Sequence, residues 1–64
     1  MYNKIEGKII EKLGTREAFA KAMGLSQTTI TAKLKGRIDW KRKEMQKACE
    51  ILEIPISELI EYFF

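Results

Sequence analysis

Gln27, Thr28, Thr29, Thr31 and Ala32 stand in near succession and carry amide, hydroxyl and methyl groups with no charge among them. A helix that faces water ordinarily carries long charged residues on its outer side, so this composition suits a close, hydrogen-bonding surface. The chemistry on offer is recognition of base edges. Glutamine pairs bidentately with adenine, threonine bonds several base edges, and an alanine or threonine methyl touches the thymine methyl. The plainer reading is that three threonines cap and decorate a surface helix, and the pattern on either side of them argues against it.

Two short amphipathic patterns would have to hold that face in place. Phe19 and Met23 lie four apart on one helical face, and Ala20 beside them is small enough for a second helix to cross closely. Gly24 ends the first pattern, because a glycine takes the left-handed conformation of a helix C-terminus that costs other residues about 1 kcal/mol or more. Leu25 turns inward and Ser26 is an apt N-cap. In the helix that follows, over residues 26–35, Ile30 and Leu34 face the core. Thr28, Ala32 and Lys35 then fall opposite, with Thr29 and Thr31 flanking them.

From Arg16 to Gly36 the chain resembles the lambda-repressor-like helix-turn-helix domains, and among them the very small Cro-type phage regulators. The matching residues are Arg16 at the start of the first motif helix, Ala20 at the crossing point, Gly24 in the turn, Leu25 and Ile30 in the core, and Gly36 after the second helix. The resemblance covers most of the chain. It implies a compact five-helix all-α domain in which helices 2 and 3 form the helix-turn-helix. It further implies that Gln27, Thr28, Thr31 and Ala32, with Ser26 at the helix start, reach base edges in the major groove, and that Arg16 holds a phosphate. The implied role is sequence-specific binding of double-stranded DNA as a transcriptional regulator, by repression of a phage or prophage promoter. One departure is Lys33, which stands where the family usually has an apolar residue. Leu34 next to it is expected to take over the packing, with a slight rotation of the recognition helix.

Charge is distributed unevenly. Residues 1–47 hold all twelve Lys and Arg with five acids, a balance of +7, whereas residues 48–64 hold four acids and no base, a balance of −4. Seven bases lie between Lys33 and Lys47. A charge run is often only a solvated face, but bases beside a candidate recognition helix form the electrostatic footprint of phosphate contacts. Lys35, Arg37, Lys41 and Arg42 join Arg16 as the expected phosphate contacts. If Arg16, Lys35, Arg37 and Lys41 each neutralise a phosphate in both halves of a dimer, the log-log salt slope is about −7.

Sixty-four residues make one domain, and a chain of this size buries only about 60% of its unfolded surface. Ile5, Ile9 and Leu13 mark a first helix that Gly14 ends. Met45, Ala48, Cys49 and Leu52 mark the inner face of a fourth, starting near Trp40 or Lys41. Ile54 and Pro55 break the pattern, and Ser57 is expected to cap a short last helix. Trp40 is read as a packing residue that fixes the loop presenting Arg37. The consecutive Tyr62, Phe63 and Phe64 cannot all enter one small core from a short helix, so at least one is expected to be exposed or buried against a partner. The two arrangements open are Tyr62 and Phe63 folding back over the first and fourth helices of the same chain, and a homodimer through these aromatics. Such a dimer would set two recognition helices about 34 Å apart on a palindromic operator. No apolar run approaches the ~20 residues that span a bilayer, and the chain reads as cytoplasmic. With no histidine and one cysteine, Cys49, neither a metal site, a cofactor, a small-molecule ligand nor an internal disulfide is expected, and no nucleophile and base pair for an enzyme. The second reading, from another class, is an antitoxin-like or antirepressor-like helical module whose basic stripe binds an acidic protein.

Overall fold

In the computed structural model, residues 3–63 are described, and all their regular structure is helical. The order is α1 (Asn3–Leu13), α2 (Arg16–Met23), α3 (Gln27–Leu34), α4 (Arg42–Leu52), a 3-10 turn (Ile56–Glu58) and α5 (Leu59–Phe63). Each boundary has a local cause. Thr15 caps α2 by accepting from the Ala18 amide at 3.1 Å, and Ser26 caps α3 by accepting from the Thr29 amide at 3.1 Å. Gly24 closes α2 at φ 74°, and the Leu25 amide reaches back to the Ala20 carbonyl at 3.0 Å. This pairing satisfies carbonyls that a helix end otherwise orphans. The expected turn therefore forms, three residues long, between α2 and α3.

The core draws on every helix. Ile5 and Ile9 of α1 have no exposure and meet Phe19 and Met23 of α2, Ile30 and Leu34 of α3, and Ala48, Cys49 and Leu52 of α4. Trp40, only 8% exposed, plugs the gap before α4, with its ring centroid 6.5 Å from Phe19 and 5.1 Å from Phe63. The second contact is edge-on, a geometry worth about 0.5–1.5 kcal/mol beyond area burial.

Two expectations about the C-terminal segment need correction. Ser57 lies within the 3-10 turn, which Pro55 begins, so it does not cap the last helix. Phe63 is 3% exposed in the chain's own core and is no surface for a partner. The reason is register: Leu59 and Phe63, four apart, take the inner stripe of the last helix, which turns Ile60 outward at 71% exposure, while Ile56 in the 3-10 turn is 63% exposed. Tyr62 is half-buried against the core, and Phe64 lies outside the described residues. No helix of the described residues is long and apolar enough to cross a membrane.

Candidate nucleic-acid interface

With Ile30, Lys33 and Leu34 turned inward, the opposite side of α3 is open. Gln27 and Thr28 are exposed, Thr31 and Ala32 half-buried, and Lys35 and Arg37 exposed. These six residues line one shallow hollow of about 380 Å³. Gly36, at φ 80°, turns the chain after α3, and the Arg37 amide bonds back to the Ala32 carbonyl at 2.9 Å. That bond holds Arg37 beside the α3 face. Among the described residues no group of three or more His, Cys, Asp or Glu comes together as a metal site.

Other expected site residues are placed differently. The Ser26 hydroxyl is committed to its own helix, accepting from the Thr29 amide and donating to Thr29 Oγ1 at 2.8 Å. Arg16 forms an ion pair with Glu6 of α1, where both side chains are about one-third exposed, so its charge already has a protein partner. Arg42 lies away from the hollow. It lines a separate apolar groove of about 450 Å³ between α4 and the last helix, together with Met45, Ile56, Leu59 and Ile60. Lys41 is exposed at the N-cap of α4. Of the expected phosphate contacts, Lys35 and Arg37 thus line the hollow on the α3 face.

Lys33 is the least expected feature. Its side chain is 3% exposed, although Leu34 beside it is equally buried, so α3 does not rotate Lys33 out of the core. The ammonium donates to the Asp39 carbonyl at 2.9 Å and pairs with Glu44 Oε1 at 2.8 Å, lying 5.8 Å from the centroid of the Trp40 ring. The same Glu44 oxygen accepts from the Lys41 backbone amide at 2.8 Å. Burial raises the Glu44 pKa. Its bonds to Lys33 and the Lys41 amide, with the charges of both lysines, outweigh that and hold it below the usual 4.5. One of the seven bases counted in the sequence thus belongs to the interior. A signal for this existed, since a lysine at a core position with an acid at the third position of the next helix can pair, but nothing local dictates that it does.

Five helices round one core, with a small polar helix face flanked by lysine and arginine, define a small all-α protein. The chain belongs to the DUF739 family, described as a protein of unknown function, which it matches over residues 1–64. It is also similar to the modulator of repression (MOR) of the temperate bacteriophage TP901-1 from Lactococcus lactis. The two are 44% identical, and the alignment covers 98% of this chain and 85% of that one with a TM-score of 0.86. No curated protein matches the chain.

Proposed function

We propose that this chain is a phage regulatory protein that acts on repression by reading duplex DNA with α3 in the major groove. The observation that carries the reading is the outer face of α3: Gln27, Thr28, Thr31 and Ala32 open to solvent in one hollow with Lys35 and Arg37 at its rim. Groups of that size and polarity bond base edges, and the rim bases sit where phosphates pass. With Lys35, Arg37 and Lys41 as phosphate partners, about three counterions are released per chain, and the log-log salt slope is about −3. Bound at a promoter, the protein excludes polymerase. A two-fold dimer on a palindromic site doubles the slope.

The test is a titration of ¹⁵N-labelled protein with duplex DNA carrying the promoter region beside its gene. Shifts at residues 27–32 and 35–37 are expected, with α1 unmoved. Gln27→Ala or Thr28→Ala should cost about 1–3 kcal/mol and relax preference at one base position, whereas Arg37→Ala or Lys41→Ala should weaken all sequences alike.

The name of the related phage protein favours a second reading, in which the chain is an antirepressor-like module and modulates repression through a protein. In that case the titration shows no shift with DNA, and a repressor encoded by the same phage moves the α3 face or the apolar groove instead.

A further inference from the structure

One buried ammonium joins three parts of the molecule through polar contacts. Lys33 belongs to the last turn of α3; its partners are the Asp39 carbonyl in the loop and Glu44 in the first turn of α4, and the Trp40 ring lies beside it. The loop over residues 36–39 is tied to α3 at its start by the Gly36 amide on the Lys33 carbonyl and beyond that lies at the surface. Ile38 is 46% exposed, and Gly36, Arg37 and Asp39 are exposed. Between the Arg37 amide bond to Ala32 and the burial of Trp40, Lys33 holds the loop by its bond to the Asp39 carbonyl. Through Glu44, which also accepts from the Lys41 amide, the ammonium is joined to the start of α4 as well.

We propose that Lys33 is a positioning residue that locks the 36–41 loop and the start of α4 to α3, so that Arg37 and Lys41 hold one geometry beside the α3 face. The inference rests on the proposed reading of that face as the binding surface. An apolar residue at position 33 would fill the same core volume but could bond neither the loop carbonyl nor the carboxylate. A buried ion pair is weak as a source of stability, since well-packed apolar replacements are often neutral, and its better attested use is to select one arrangement. A rigid flank also removes ordering cost from the encounter with a partner, which raises affinity without adding a contact.

The test separates position from stability. Lys33→Met combined with Glu44→Gln removes the pair yet keeps an acceptor for the Lys41 amide, because glutamine serves that capping role as glutamate does. Backbone order parameters are measured on the free protein with and without the two changes. In the unsubstituted protein residues 37–39 should match the helices at about 0.85. In the variant they should fall toward about 0.6, while α1 and α2 stay rigid and the melting temperature changes little. A loop that stays as ordered as before overturns the proposal. Should the variant not fold, the unsubstituted protein decides: the Lys33 ammonium protons should exchange slowly enough to give a ¹⁵N-correlated signal near neutral pH, and their loss to fast exchange overturns it. DNA binding is read separately. A loosened loop should weaken it about tenfold. Loosening with unchanged affinity leaves the anchor standing and refutes the flank's part in binding, so the two failures are distinguishable.

Discussion

Two glycine substitutions of the same chemistry should move stability in opposite directions. Gly24 holds φ 74° at the C-terminus of α2, and a Cβ built there meets no atom within 4 Å. Gly24→Ala therefore introduces no clash, and its whole cost is the left-handed backbone, about 1–2 kcal/mol. Gly7 lies inside α1 with equally open space round its Cβ position. Gly7→Ala restricts the unfolded chain without strain in the folded one and should stabilise by about 0.5–1 kcal/mol. At about 4–8 °C per kcal/mol for a domain of this size, Gly24→Ala should lower the melting temperature by about 4–16 °C and Gly7→Ala should raise it by about 2–8 °C. Thermal unfolding followed by far-UV circular dichroism reads both, and urea midpoints should shift with unchanged slope. A Gly24→Ala protein that melts no lower than the parent would falsify the left-handed cap, and with it the account of how the turn sets α3 against α2.

Three further outcomes follow from the core. The depressed pKa of Glu44 means that its stabilising contribution is fully present above the ordinary glutamate value of 4.5 and is lost as pH falls through the lower folded value. Stability measured against pH should decline on that acid limb, and Glu44→Gln should flatten the decline; an identical acid limb in the variant refutes the pairing. Cys49 is 2% exposed, and burial pushes its thiol pKa up, so a thiol reagent should label it only as fast as the protein unfolds. Immediate labelling of the native protein contradicts its place in the core. Phe63→Ala should cost about 3 kcal/mol, the low end for a buried aromatic because α5 is short enough to settle into the gap. The change should also alter Trp40 fluorescence, since the two rings are 5.1 Å apart, and an unchanged spectrum counts against that contact.

What was legible in the sequence was local. Gly24, Ser26, Ile30 and Leu34 announce the turn between α2 and α3 because caps and the helical period are set by residues within four positions of each other. The outer face of α3 followed directly, and Gln27, Thr28, Thr31, Ala32, Lys35 and Arg37 do come together round one hollow. The residues that were placed differently have their reasons elsewhere in the chain. Arg16 is claimed by Glu6, ten positions away on another helix, and Lys33 by Glu44 on the next one. A charge pattern cannot distinguish a lysine that meets solvent from one that meets a carboxylate inside. The C-terminal aromatics illustrate the same limit. Three consecutive rings point to an exposed surface, yet the stripe of Leu59 and Phe63 buries one of those rings and leaves Ile60 exposed.

The central claim is that the α3 face reads DNA sequence, and selection from a randomised duplex library tests it most directly. The protein is incubated with the library at about 0.1 M salt, where the screening length is about 10 Å, and the bound pool is sequenced. The account predicts enrichment of a short motif, palindromic if two chains bind together, with one base position losing its preference in Gln27→Ala. Retention of no sequence in preference to another, by a protein that is folded and that binds a phage repressor tightly, would contradict it.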